Sequence, residues 1–109
     1  MIMNNSKVKN ITSTEAKKLI HENSNTIILD VRTKGEYLSG HIPGAKLISL
    51  NQLPDDIDDF EEHKNKPIIV YCATGVRSKT AVSILLENRF SHIYHLYEGF
   101  SNWTYEIEK

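Results

Sequence analysis

The chain contains a single cysteine, Cys72, and the residues around it favour a reactive thiol. The apolar run 68–71 predicts a strand that is buried on both faces, and the cysteine follows it directly. After a short loop, Ser78 is predicted to cap a helix. The backbone N–H groups of such a loop can converge on one point, where the helix N-terminus and the side chains of Arg77 and Lys79 add positive charge. This setting lowers the pKa of a thiol, so Cys72 is predicted to be a nucleophile rather than a buried packing residue.

Three segments of the chain resemble motifs of the rhodanese, or sulfurtransferase, family. They are 29–32 (Leu-Asp-Val-Arg), 36–45 (Glu-Tyr-Leu-Ser-Gly-His-Ile-Pro-Gly-Ala) and 72–78 (Cys-Ala-Thr-Gly-Val-Arg-Ser). The resemblance covers nearly the whole chain and implies an α/β fold, a three-layer sandwich with a mainly parallel sheet of about five strands. One departure is visible. Members of the family often have a Gly-Gly pair before a C-terminal Trp, whereas Gly99 is followed here by Phe100, which puts the shape of this turn in question.

The resemblance implies sulfur transfer by double displacement. The Cys72 thiolate would attack the outer sulfur of a small anionic donor such as thiosulfate, releasing sulfite and leaving a persulfide. The residues predicted to bind the substrate and the terminal sulfur are Ala73, Thr74, Gly75, Val76, Arg77 and Ser78. Neither a metal nor an organic cofactor is implied. Because the chain has no second cysteine, the acceptor must be external: cyanide, a small thiol or a thiol-bearing protein.

Asp30, Arg32 and Glu36 are predicted to support this loop. Asp30 ends the second buried strand, and the C-terminal ends of parallel strands line one edge of a sheet, so Asp30 is expected on the same rim as the cysteine. A turn or capping role is an equally good interpretation of Asp30. Glu36 forms a predicted capping box with Thr33. The resemblance implies that its carboxylate also lies near Arg77, which can bind substrate or bridge structurally to either carboxylate.

Three other functions share part of this pattern. Phosphatases and arsenate reductases also place a cysteine in an anion-binding loop, but their motif resembles Cys-x5-Arg, whereas Cys72 and Arg77 form Cys-x4-Arg. The shorter loop suits one sulfur atom better than a tetrahedral oxyanion. A non-catalytic rhodanese-like binding module often lacks the cysteine. A persulfide carrier that serves one dedicated partner differs mainly in its donor and acceptor.

The remaining elements are predicted from periodicity, caps and turn signals. Strands are predicted at 9–11, 26–30, 46–50, 68–71 and 91–96. Helices are predicted at 12–21, from 33, at 51–63, from 78 to 88 and after 99. Within the acidic segment 51–63, three apolar residues are expected to face the core: Leu53, Ile57 and Phe60. The last helix is expected to carry Trp103 and Ile107 and to close the core.

No histidine is predicted to bind a metal. His41 lies in the turn 40–44 and is interpreted as a turn residue whose side chain is bonded to the backbone, rather than as a catalytic base. His92 and His95 are expected on opposite faces of a strand, which does not suit a pair of metal ligands.

Length and composition predict one domain, 1–109, with a loosely ordered N-terminus at 1–8. The composition, with 39% hydrophobic and 25% charged residues, is that of an ordinary soluble protein, and no apolar segment is long enough for a membrane span or a signal peptide. A free thiol suits a reducing compartment, so a cytoplasmic location is expected. The net charge of −1 gives no reason to expect a nucleic acid or a membrane as a partner. A monomer or weak dimer is expected.

Overall fold

A five-stranded parallel sheet forms the centre of the computed structural model, which describes residues 6–109. In chain order the strands are β1 (Val8–Ile11), β2 (Ile27–Asp30), β3 (Lys46–Leu47), β4 (Ile68–Tyr71) and β5 (Ile93–Leu96). Their order across the sheet is β1-β5-β4-β2-β3, and each neighbouring pair is parallel. The α/β class and the mainly parallel sheet of about five strands are confirmed.

Helices pack on both faces of the sheet. They are α1 (Ser13–Glu22), α2 (Lys34–Ser39), α3 (Leu53–Asp56) and α4 (Val76–Glu87), with two 3₁₀ helices at Ile57–His63 and Phe100–Asn102. Because side chains alternate along a strand, β4 supplies Ile68 and Val70 to the core under α3 and α4, and Ile69 and Tyr71 to the core under α1. All four are fully buried, which explains the unbroken apolar run. No helix in the described part of the chain has the length and apolar character needed to cross a bilayer.

The N-terminal strand begins earlier than expected. Residues 1–5 of the predicted loose segment lie outside the described range, but Val8 already pairs with Ile93 in β5. The N–H of Ile93 also donates to the carbonyl of Lys7 at 2.9 Å. Hydrogen bonding to β5 therefore orders the chain from residue 7 onward.

β3 is shorter than the predicted strand at 46–50. The N–H groups of Ile48 and Leu50 still donate to the carbonyls of Asp30 and Val31 at 3.0 Å each. However, the carbonyl of Ser49 already accepts the first bonds of the turn that leads into α3. The regular strand therefore ends at Leu47.

The acidic segment 51–63 is not one helix, because α3 gives way after four residues to a 3₁₀ helix. Like charges four residues apart, such as Asp58 and Glu62, disfavour an α-helix. A step of three residues between Ile57 and Phe60 suits a 3₁₀ helix, whose side chains repeat every third residue. The residues expected to face the core are indeed buried: Leu53, Ile57 and Phe60.

The prediction of a helix after Gly99 was wrong, because only a single 3₁₀ turn forms there. Trp103 is extended and buried, and its Nε1 donates to the carbonyl of Glu106 at 2.9 Å. Glu108 then forms an antiparallel bridge with His41, with two backbone hydrogen bonds of 2.9 Å. This pairing replaces helical hydrogen bonds, and it leaves Ile107 exposed.

The turn predicted at 40–44 is present before β3. The N–H of Ala45 donates to the carbonyl of Ile42 at 3.0 Å, and Gly44 has a φ of +83°, as a type II turn requires. His41 precedes it, with Nδ1 2.8 Å from the carbonyl of Tyr37 and its ring stacked on the tyrosine. Its side chain is bonded to the backbone, in agreement with the turn interpretation.

Candidate active site

Cys72 follows β4 directly, and the loop after it folds back over the sulfur. The residue is 1% exposed. Its Sγ accepts the backbone N–H groups of Gly75, at 3.1 Å, and of Ser78, at 3.3 Å. The hydroxyl of Ser78 lies 3.4 Å from the same atom. The N–H groups of the loop thus converge on the sulfur.

These contacts control the ionisation of the thiol. Burial raises the pKa of Cys72, but hydrogen bonds to the sulfur outweigh this effect. The largest of these comes from the hydroxyl of Ser78, followed by the backbone N–H groups of Ser78, Thr74 and Gly75. The result is a Cys72 pKa below its ordinary value, which favours the nucleophilic thiolate.

The helix after the loop begins at Val76, with Gly75 as its N-cap, and not at Ser78 as predicted. Gly75 has a φ of +94°, a conformation that glycine adopts without steric cost. A β-carbon at this position would collide with the carbonyl oxygen of Tyr97, just after β5. The earlier start places Ser78 within the first turn, where its hydroxyl faces the sulfur instead of capping the helix.

Replacing Gly75 by alanine should destabilise the protein more than the same change at Gly44. Both glycines have positive φ, which costs an alanine about 1–2 kcal/mol, but only Gly75 also lies against backbone. Gly35 is the control, because it has open space and no positive φ. Urea unfolding should give losses in the order Gly75→Ala, Gly44→Ala, Gly35→Ala. Equal losses at Gly75 and Gly44 would show that the contact with Tyr97 does not constrain the loop.

Arg77 forms a bidentate ion pair with Glu36. Its Nη1 lies 2.7 Å from Oε1 and its Nη2 2.9 Å from Oε2. Oε1 also accepts the N–H and the hydroxyl of Thr33, at 3.0 Å each, and caps α2. Glu36 is therefore a cap partner and a neighbour of the loop arginine at once, and Arg77 pairs with it rather than with Asp30.

We expect the ion pair to stabilise the fold at neutral pH and to lose this contribution in acid. The hydrogen bond from Arg77 is the main reason that the pKa of Glu36 is about 2, against 4.5 ordinarily. Because the folded pKa is the lower one, the pair stabilises the fold above pH 4.5, and this contribution disappears as the pH falls through about 2. Both side chains are about one-third exposed, so solvent screening limits the contribution to about 1 kcal/mol.

Glu36→Gln tests this contribution, because glutamine keeps the capping oxygen but lacks the charge. The difference in unfolding free energy between wild type and variant should shrink as the pH falls from 4.5 towards 2. Glu62→Gln is the matched control, since Glu62 is exposed and has no ion pair within residues 6–109. A difference in unfolding free energy for Glu36→Gln that does not vary with pH would contradict the assignment of this stability to the ion pair.

Asp30 and Arg32 form a second ion pair, which is buried beside the loop. Asp30 is 0% exposed and lies beside Tyr71 at the end of β2, on the rim where Cys72 follows β4. Its carboxylate accepts the backbone N–H of Arg32 at 2.9 Å and the guanidinium at 2.7 Å. The guanidinium also donates to the carbonyl of Gly40 at 2.7 Å. Asp30 thus has the turn role that its position suggested, and it also holds Arg32.

The last turn, in which Phe100 follows Gly99 where the family often has a second glycine, still packs against the loop. The N–H of Phe100 donates to the carbonyl of Cys72 at 2.8 Å. Gly99 has a φ of +78°, and a β-carbon there would collide with the carbonyl of Ala73. The ring of Phe100 lies 4.4 Å from the guanidinium carbon of Arg32. The phenylalanine therefore adds a cation–π contact beside the buried ion pair.

The interpretation of the sequence missed His95. It is 5% exposed, and its Nε2 lies 2.6 Å from the hydroxyl oxygen of Ser78. Burial is the main cause that lowers the pKa of His95, and the charge of Lys79 adds to it. The signal that could have found this residue is strand register: His95 pairs with Val70, two residues before Cys72.

Two clefts flank the loop, and Cys72 lines neither. The smaller, of about 360 Å³, lies beside Arg77 and Arg32. The larger, of about 490 Å³, lies between α4 and the edge formed by β1 and β5, next to Lys79 and His95. Each cleft therefore carries positive charge close to the loop.

This fold, with a cysteine loop at the end of the central parallel strand, defines a rhodanese-like protein. The family model described as "Rhodanese-like domain" matches residues 12–106. The chain belongs to this family, and the resemblance found from its three motifs is confirmed.

Among known proteins, the chain is similar to a rhodanese-like domain protein from Staphylococcus aureus. That crystal structure superposes with a TM-score of 0.81 at 37% identity, covering 92% of this chain and 96% of the other. The thiosulfate sulfurtransferase GlpE of Pseudoalteromonas translucida is 30% identical over 95 residues, which cover 87% of this chain and 88% of that protein. A tRNA uridine(34) hydroxylase of Buchnera aphidicola is 34% identical over 103 residues, or 91% of this chain but 32% of that protein.

Proposed function

We propose that the protein is a sulfurtransferase that carries sulfane sulfur as a persulfide on Cys72. The observation that carries the proposal is the set of hydrogen-bonding groups around a lone sulfur: two backbone N–H groups and the hydroxyl of Ser78 lie within 3.4 Å of Sγ. They stabilise negative charge on sulfur before and after transfer. Similarity over most of its length to a relative named thiosulfate sulfurtransferase supports the same activity.

In the proposed first step, the Cys72 thiolate attacks the outer sulfur of a donor such as thiosulfate. A sulfur–sulfur bond forms, the bond to the sulfite sulfur breaks, and sulfite leaves with the electron pair. The loop 73–78 then surrounds the terminal sulfur, and the charge of Arg77 draws the anionic donor towards it. In the second step, an external thiolate attacks the terminal sulfur and releases the Cys72 thiolate. Neither step requires a cofactor, and a reducing compartment such as the cytoplasm supplies the thiol.

The competing functions are less well supported. A phosphatase needs a loop that encloses a tetrahedral anion, whereas the Cys-x4-Arg loop here is one residue shorter than Cys-x5-Arg. The hydroxylase relative matches along only 32% of its own length, so it gives little support for hydroxylation by this chain. A purely binding module has no need for a thiol with a lowered pKa. A carrier for one dedicated partner uses the same persulfide and differs in its donor and acceptor.

Intact mass measurement tests the persulfide directly. After incubation of the reduced protein with thiosulfate and removal of the donor, the mass should rise by one sulfur atom. Addition of a thiol reductant should then restore the starting mass, because a persulfide is reducible and a sulfinic acid is not. An unchanged mass in a protein whose Cys72 remains a free thiol would contradict the proposal.

A further inference from the structure

Three buried groups form a continuous hydrogen-bonded chain that leads away from the sulfur. Cys72 Sγ lies 3.4 Å from Ser78 Oγ, and Ser78 Oγ lies 2.6 Å from His95 Nε2. The three residues are 1%, 0% and 5% exposed. Water therefore has little access to the sulfur, and the proton of the thiol needs another route out.

The far end of this chain opens to solvent. In residues 6–109, Thr26 Oγ1 is the one buried side-chain nitrogen or oxygen that lacks a hydrogen-bond partner. His95 Nδ1 also has no hydrogen-bond partner within the same residues, but it is not one of the buried atoms without a partner. This atom must therefore reach solvent. The cleft of about 490 Å³ that His95 lines provides the opening. A proton can therefore enter the ring at Nε2 and leave it at Nδ1.

We propose that Ser78 and His95 form a proton relay that converts the Cys72 thiol to the thiolate used in the proposed sulfur transfer. In the resting state the S–H donates to Ser78 Oγ, and the Ser78 hydroxyl donates to an unprotonated Nε2. On ionisation the thiol proton moves to Ser78, the hydroxyl proton moves to Nε2, and the Nδ1 proton passes to water in the cleft. Ser78 then donates to the thiolate, and Nε2–H donates to Ser78. The imidazole is neutral at both ends of the step but has changed its tautomer.

The charged groups around the relay suit this direction of transfer. From α4, Lys79 faces the ring, and with burial it lowers the pKa of His95 and keeps the ring neutral. Arg77, at the start of α4, is near enough to Cys72 for their charges to interact, and its charge favours the thiolate. After β5, Tyr97 lines the cleft, and β1 contributes the uncharged Asn10. A cation held beside the ring disfavours an imidazolium, so a proton that arrives at Nε2 is matched by loss of the Nδ1 proton.

Nitrogen NMR of protein labelled at histidine tests the relay through the tautomer of His95. As the pH rises through the thiol pKa, Nε2 should change from the unprotonated to the protonated form, and Nδ1 should change in the opposite direction. In Cys72→Ala the ring should keep one neutral tautomer over the same range. His92, which is exposed and bonded to Ser91, is the internal control, and its ring nitrogen signals should be the same in both proteins. One unchanged His95 tautomer in the wild type would overturn the relay.

Ser78→Ala separates the relay from an effect of charge through space. Alanine removes the central hydroxyl, so the tautomer of His95 should no longer follow the ionisation of Cys72. A tautomer change that persists in Ser78→Ala would overturn the relay and show that charge alone couples the two residues. If Ser78→Ala does not fold, the wild-type titration still tests the relay, because one unchanged His95 tautomer would overturn it. The NMR measurements contain no sulfur donor, so they test the relay independently of the persulfide. Either the relay or the proposed sulfur transfer can be contradicted while the other is supported.

Discussion

Replacement of Cys72 by serine should abolish sulfur transfer from thiosulfate to cyanide. A serine hydroxyl stays protonated at neutral pH, even with the same donors around it, and an oxygen cannot carry the sulfane sulfur as a persulfide. The loss should be complete, down to the rate of the uncatalysed reaction, because the described chain offers no second thiol. Cys72 packs in the core below α4, so the buried hydroxyl should cost some stability without unfolding the protein.

Initial rates with thiosulfate and cyanide, together with urea unfolding, check this outcome. The buried hydroxyl of the variant can still bond to Ser78 and the loop N–H groups, so a folded protein is expected. Ser83→Ala is a suitable control, because Ser83 is exposed on α4 and lies away from the sulfur. It should retain wild-type rates. Sulfur transfer by Cys72→Ser at a rate near that of the wild type would show that another group is the nucleophile.

The fold was predictable because its strongest signals are local. The run 68–71 is apolar at every position, and a strand of that kind is stable only when both of its faces are covered. Capping boxes at Thr12 and Thr33 mark the starts of α1 and α2, and both are present with reciprocal hydrogen bonds. These signals depend on a few neighbouring residues and do not require knowledge of the sheet order.

The start of α4 was mispredicted because tertiary packing outweighed a local preference. Serine is a favourable N-cap, and Ser78 precedes the apolar residues of the helix. The loop instead turns at Gly75, whose positive φ and close approach to Tyr97 place the N-cap three residues earlier. Ser78 thereby forms hydrogen bonds with the sulfur, a role that its sequence neighbours do not reveal.

His95 could not be identified from spacing alone. It lies 23 positions after Cys72 in the sequence, and it meets the site only through Ser78, across the packing of α4 on β5. That contact depends on the register of β5 against β4, which pairs His95 with Val70. The bidentate contact between Glu36 and Arg77 joins residues 41 positions apart, and it was expected only because the motifs resemble a known family.

Insertion of one glycine after Gly75 should depress sulfur transfer by more than about tenfold, because displacements of about 1 Å at a reacting centre are costly. The N–H groups of Gly75 and Ser78 lie on opposite sides of the insertion, and both donate to Sγ, at 3.1 and 3.3 Å. One added residue extends a chain by up to about 3.6 Å, so both donors cannot stay in place. The ring of N–H groups should widen enough to bind phosphate or arsenate without necessarily reacting with them.

The same comparison separates the sulfur and phosphoryl functions in the wild type. With its six-residue span 72–77, the unmodified protein should transfer sulfur but show negligible hydrolysis of an aryl phosphate. A glycine inserted after Ser24, in an exposed turn far from the loop in sequence, is the matched control for the added chain length and should leave both activities unchanged. Circular dichroism should confirm that each insertion variant is folded before rates are compared. Robust aryl phosphate turnover by the wild type, with no detectable persulfide, would replace the sulfurtransferase assignment with that of a phosphatase, because only a loop already wide enough for a tetrahedral anion could support it.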